Sequence, residues 1–249
     1  MFVIRHIREI ALALLLSSVA ATAQAQWSGK GEAGLVIANG NTDTKTANAK
    51  FEFSLKRDAW KHTFGADGIY AKNAGATTGQ RFEVYEQSDY NFSARSFAFG
   101  ALRYEDDHFS GFRYQETLST GLGRHIVDSE ATKLTGTVGV GYKHFATRDV
   151  HDPVSGALLE AGDSGNQAVF RSTLDFEQVL TSTAKLTNKF LVESGSNNTF
   201  IQNDLAVQLK VTQVLAVAVG YGVRRNSSPP NGFKKTDTLT TINLVYELK

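Results

Sequence analysis

Between Thr46 and Lys56 the chain alternates. Ala47, Ala49, Phe51, Phe53 and Leu55 take one side of a period-two pattern, and Asn48, Lys50, Glu52, Ser54 and Lys56 take the other. A pleated strand separates these two sets completely, whereas a helix would scatter both around its circumference. The pattern recurs: Phe170, Leu174 and Phe176 oppose Arg171, Thr173, Asp175 and Glu177, and Ile201, Leu205, Val207 and Leu209 oppose Gln202, Asp204, Gln208 and Lys210. Leu215, Val217, Val219, Tyr221 and Val223 oppose only the small Ala216, Ala218, Gly220 and Gly222, followed by Arg224. Twelve such segments are predicted, near 28–39, 44–56, 60–72, 80–91, 96–105, 113–126, 132–145, 167–179, 184–194, 199–211, 215–226 and 236–248. Connections after the second, fourth, sixth, eighth and tenth segments are short. The others include both long ones, Ala146 to Asn166 and Ser227 to Lys235, which hold the three prolines, Pro153, Pro229 and Pro230.

An even set of long antiparallel strands, with tight turns at one end and longer loops at the other, predicts an all-β fold: an antiparallel transmembrane β-barrel of about 12 strands with short periplasmic turns and longer extracellular loops. The physical reason is the bilayer, where every backbone N–H and C=O needs a partner and a closed barrel leaves no bare edge. A soluble β-sandwich also alternates, but its strands usually run about five or six residues, too short to cross tilted through a membrane. Ile242, Leu244, Tyr246 and Leu248 continue the alternation almost to the end of the chain, close to the terminal strand that barrel-assembly machinery reads, although Leu248 stands where Phe or Trp is usual.

The first 25 residues do not alternate. Arg5 and Arg8 precede an apolar run, Ile10 to Leu16, and small residues around Ala21 to Ala25, the order of a secretory signal cleaved before Gln26; residues 26–249 then form the barrel. The run is shorter than the roughly 20 apolar residues of a spanning helix. Charge narrows the functional classes: 26 Lys and Arg face 25 Asp and Glu, and loss of Arg5, Arg8 and Glu9 with the signal leaves a formally neutral chain, which argues against nucleic acid as a partner. With no cysteine, disulfides, thiolate metal sites and cysteine nucleophiles are excluded.

Four blocks point to a family. Gly31 to Thr44 (GEAGLVIANGNTDT), Arg57 to His62 (RDAWKH), Tyr104 to Tyr114 (YEDDHFSGFRY) and Gly121-Leu122-Gly123 resemble the YdiY-like, salt-induced outer-membrane proteins, the domain of unknown function 481. Val138 to Tyr142 (VGVGY) departs from the Gly-Pro-Gly-Tyr block expected there. The resemblance implies an exported outer-membrane barrel and transfers no catalytic residue.

Candidate chemistry is sparse. Asp106-Asp107-His108, on the loop expected after the fifth strand, is the best hydrolytic cluster, but neighbouring residues in an extended chain point different ways and no second constellation joins them. His151-Asp152 lies in the longest loop, and His62, His125 and His144 sit near strand ends. Asn39, Asn41 and Asp43 have calcium-loop spacing, but the position needing Glu is Lys50, so a hairpin turn is the better reading. Gly121-x-Gly123 and Gly139-x-Gly141 precede no helix and are not phosphate loops; inward glycines give room to opposing long side chains.

The interior is the remaining candidate. Twelve strands tilted by roughly 40° give a backbone diameter of about 24 Å, and inward side chains leave an opening of about 10 Å or less. Lys50, Glu52, Lys56, Arg171, Asp175, Glu177, Lys189 and Glu193 are the candidate lining residues: paired across the lumen they close it, segregated by sign they make a selective channel. The expectation is a non-enzymatic outer-membrane protein of a Gram-negative bacterium, either a narrow channel or a largely filled barrel with a role in envelope adaptation, its salt or osmotic shading coming from the resemblance. A hydrolase built on Asp106 to His108, or a structural or adhesive barrel using the loop Ala146 to Asn166, are the alternatives. Expected partners are outer-membrane lipids and, during biogenesis, the barrel-assembly machinery; no cofactor or metal is implied, and the oligomeric state stays open.

Overall fold

The computed structural model describes residues 26–39, 44–73, 76–108, 110–152 and 155–248. The expected signal segment, and Asn41 and Asp43 of the calcium-like spacing, lie outside the described residues. Among the described residues fourteen strands follow in order: β1 (Gln26–Asn39), β2 (Thr44–Arg57), β3 (Trp60–Asn73), β4 (Ala76–Asn91), β5 (Ser96–Asp107), β6 (Phe112–Asp128), β7 (Thr132–Thr147), β8 (Val150–His151), β9 (Leu158–Glu160), β10 (Ser164–Val179), β11 (Ala184–Gly195), β12 (Thr199–Lys210), β13 (Leu215–Asn226) and β14 (Thr236–Leu248).

Twelve of them close into a barrel, in the ring order β1-β14-β13-β12-β11-β10-β7-β6-β5-β4-β3-β2, with every neighbouring pair antiparallel. Strands β8 and β9 form a separate two-stranded hairpin inside the long connection between β7 and β10. That connection, expected as loop from Ala146 to Asn166, is therefore shorter: β7 runs on to Thr147 and β10 begins at Ser164. Elsewhere the predicted segments and strands agree closely, and for 215–226 and 236–248 they coincide. The two-residue turn Asp58-Ala59 between β2 and β3 holds Asp58 at φ 52°, a left-handed conformation that Asp tolerates better than most residues.

Register fixes which side chains face inward, because the pleat alternates strictly. Phe51, Leu118, Leu122, Val138, Val140, Val219, Ile242 and Leu244 stand exposed on the outer surface, a distribution that only an apolar solvent makes favourable. Exposed Trp27, Trp60, Tyr90 and Tyr246 gather near the short-turn end, and Tyr70, Phe82, Tyr142 and Phe170 lie nearer the long-loop end. These are the two aromatic girdles of a spanning barrel. Inside, glycines receive rings: a Cβ on Gly123 would collide with Phe97, one on Gly121 or Gly139 with backbone and with Phe99, and one on Gly65 with Tyr85. These rings lie flat against the neighbouring strand, filling that part of the lumen wall.

Candidate functional site

The inward side of the pleat carries two layers of charge. The first lies near the long-loop end. Arg224 of β13 donates to Glu105 of β5 at 2.6 Å and to Glu83 of β4 at 2.8 Å. Strands β13 and β5 are six places apart in a ring of twelve, so the Arg224–Glu105 pair ties opposite walls of the barrel together. Arg103 donates to Glu83 at 3.0 Å and to Glu105, and lies 3.7 Å from Glu193. Glu193 of β11 also receives Lys143 of β7 and, at 3.4 Å, the Thr117 hydroxyl. Phe200 of β12 sits among three cations, with Arg103, Lys143 and Arg224 at 4.7, 5.4 and 5.7 Å from its ring centroid. Side-chain exposure is 0% for Glu193, 1% for Lys143 and Glu105, 7% for Arg103 and Arg224 and 9% for Glu83, so the layer is dry. A smaller chain joins it on the β2 to β4 side, where Asp67 accepts from Arg81 at 3.1 Å and lies 3.5 Å from Lys50.

The connections above this layer are tied together. Arg148 donates to Asp106 at 2.7 Å and to His108 Nδ1 at 3.1 Å, while Asn231 donates to Glu160 at 2.6 Å. Asn198 donates to Asn226 at 2.7 Å, and Gln167 accepts from the Asn197 N–H at 2.8 Å.

The second layer lies towards the short-turn end and is wet. Lys189 of β11 donates to Glu52 of β2, five places round the ring, at 2.6 Å, and the Tyr85 hydroxyl donates to the same carboxylate at 2.6 Å. Lys189 is 58% exposed. Lys185 pairs with Glu247 at 3.0 Å and Glu177 at 3.6 Å. A cavity of about 680 Å³ reaches from Lys61, Lys133 and Lys185 at the strand ends up to Arg103, Glu193 and Arg224, where it stops. Inward Ala218, Gly220 and Gly222 leave it room on the β13 wall.

All eight residues expected to line the lumen lie on the inward side of their strands. Seven border the cavity: Lys50, Glu52, Arg171, Asp175, Glu177, Lys189 and Glu193. Lys56 shares the side of β2 that carries them but lies at its short-turn end, beyond the cavity. Arg171 stacks over Phe99 at 5.4 Å, and Asp175 is the register partner of Lys189. The sequence reading included one member of the dry layer, Glu193. It passed over Glu83, Arg103, Glu105, Lys143, Phe200 and Arg224, although the same alternation places each of them inward. Asp106 and His108 face away from the buried Asp107, lie 3.4 Å apart and share Arg148.

Over residues 31–248 the chain matches the profile of the family described as Protein of unknown function, DUF481. The chain belongs to this family. As a DUF481 member it is 22% identical to the YdiY protein of Escherichia coli strain K12 over 231 residues, which cover 92% of this chain and 86% of that protein. Among solved structures the DUF481 barrel is similar to the NanC porin, with TM-score 0.53, 12% identity, and 90% of this chain and 100% of that one covered. It is similar also to the translocator domain of the autotransporter NalP from Neisseria meningitidis, with TM-score 0.52, 10% identity and 97% and 95% covered. At these identities the likeness is one of fold: a porin-like outer-membrane β-barrel.

Proposed function

We propose that this protein sits in the outer membrane of a Gram-negative bacterium with its long loops outside, and that it is a largely filled barrel rather than an open channel. The observation that carries this reading is the dry ion layer, in which Arg224 and Glu105 meet from opposite walls of the barrel and every charge has an opposite neighbour. A solute arriving from the loop side would have to separate those pairs with no water to replace them, which costs several kcal/mol per ion. From the other side the way is open, and the 680 Å³ cavity is a vestibule facing the periplasm. A resting barrel of this kind holds the membrane closed. Its part in envelope adaptation to salt or osmotic stress is suggested by the family resemblance, and the wet charges of the vestibule, unlike the dry layer, lie within reach of periplasmic ionic strength. The lumen itself needs no catalytic role. Planar-bilayer conductance of the mature, heat-modifiable protein tests the reading: silence is expected, and discrete steps from the unaltered protein would overturn it.

A further inference from the structure

On the lipid side of the wall, one group of side chains is polar at a depth where a spanning barrel is otherwise apolar. His62 of β3 and Glu86 and Ser88 of β4 point outward, on the same side as the exposed Trp60 and Tyr90. The girdle residues of β4 are Tyr90 and Phe82, and Glu86 stands midway between them, about 10 Å from each along the membrane normal for a strand tilted by roughly 40°. That depth is hydrocarbon, and among the described residues Glu86 is the one carboxylate on the outer surface between the two girdles. An ionisable side chain facing lipid there is costly unless protein covers it. The trio is only half satisfied within one chain. Ser88 donates to Glu86 Oε1 at 2.5 Å, which leaves its oxygen to accept from His62 Nδ1 at 2.7 Å. His62 Nε2 and Glu86 Oε2 make no hydrogen bond among the described residues, and the two side chains remain 29% and 27% exposed. A single proton shared between that nitrogen and that oxygen would satisfy both. Within the chain they do not meet, because the closest approach of the two side chains is Nδ1 to Oε1, at 3.8 Å.

We infer that the β3–β4 face is covered by a second copy of this chain, the two barrels standing side by side in the membrane about a twofold axis along the membrane normal. Such an axis sets the two trios against each other at one depth. His62 Nε2 of each copy then meets Glu86 Oε2 of the other, and the exchange is reciprocal, as an isologous contact requires. An unlike protein would need an imidazole and a carboxylate of its own at that depth, whereas a second copy already carries them. Neighbouring outward positions are small, with Ala49 on β2, Ala66 and Gly68 on β3, and Ala98 and Gly100 on β5. Two sheets can therefore approach closely around the trio. Lipid offers no hydrophobic drive for association, so packing of such small residues and the paired hydrogen bonds hold the contact. The contact lies outside the lumen and does not depend on whether the barrel is closed.

The test replaces Val84, the next outward residue after Glu86 on β4, by the photoreactive p-benzoylphenylalanine, and in a separate variant replaces Val207 of β12, six places round the ring. Outer membranes of cells producing each variant are irradiated, and the covalent products are sized and mapped by peptide mass spectrometry. The unaltered protein is weighed in parallel by native mass spectrometry in lipid nanodiscs. A covalent dimer is expected from the Val84 variant, joined to β3 or β4 of the other copy and about tenfold more abundant than from the Val207 variant, together with a dimer mass for the unaltered protein. Leucine suits a lipid-facing position, so Glu86→Leu with His62→Leu is expected to stay heat-modifiable while the dimer yield falls about tenfold. Photoproducts at Val84 with lipid alone or with a different protein, equal dimer yields from the two positions, a monomer or trimer mass, or an undiminished dimer in the double leucine variant would each overturn the inference.

Discussion

The two charged layers of the lumen use the same residue types and behave differently. In the layer near the loops, Arg224, Arg103 and Lys143 are buried against Glu83, Glu105 and Glu193, and hold one another in a dry volume closed by Phe200. In the layer near the turns, Lys189 reaches Glu52 at 2.6 Å yet stays 58% exposed. A short ion pair therefore means little until its solvent is known: a dry pair is fixed because either partner alone is intolerable, a wet pair because nothing opposes it.

The comparison breaks most readily at Glu193. Glu193→Ala leaves Lys143 and Arg103 buried with less counter-charge and is expected to destabilise the barrel by about 3–5 kcal/mol, read from the urea midpoint of folding into lipid. A smaller loss, about 1–3 kcal/mol in the same assay, is expected for Gly121→Ala, whose added carbon would press on Phe99 and on the backbone of Val138 and Gly139. Removing the spanning pair together, as Arg224→Ser with Glu105→Gln, keeps the charge balanced, and should turn a silent bilayer into one with discrete steps. Lys189→Met marks the lower end: at most about 1 kcal/mol is expected, and less at high salt. A large loss there would show that the wet crossbar is structural after all.

The barrel was legible because twelve strands each repeat one signal. Alternation placed β13 and β14 residue for residue, their outward apolar sets running from Leu215 to Val223 and from Ile242 to Leu248. It failed where side chains stop alternating. The first residues of β4, Ala76 to Gly79, and of β10, Ser164 to Asn166, are small or polar on both faces, and β8 and β9 are too short to show a period. The same signal gave the inward side of Lys50, Glu52, Arg171 and Glu193. It could not say which charges meet, because β13 and β5 become opposite only once the ring is closed, and no local pattern records that stagger.

Closure of the ring has a consequence for assembly. Eleven of the twelve seams join strands that follow one another along the chain, with only the β8–β9 hairpin interposed between β7 and β10. The twelfth joins the first strand to the last, from Gly29 opposite Leu248 to Asn39 opposite Thr238, and Asn243 donates across it to Glu32 at 2.9 Å. Its loop is almost the whole chain, so its closure entropy comes due only when every other hairpin is in place. Until then the sheet has two bare edges, and Arg224 has no opposite wall to reach. Completion of the seam and assembly of the charged layer are then a single late event, and a chain stalled before it would be both open-edged and leaky.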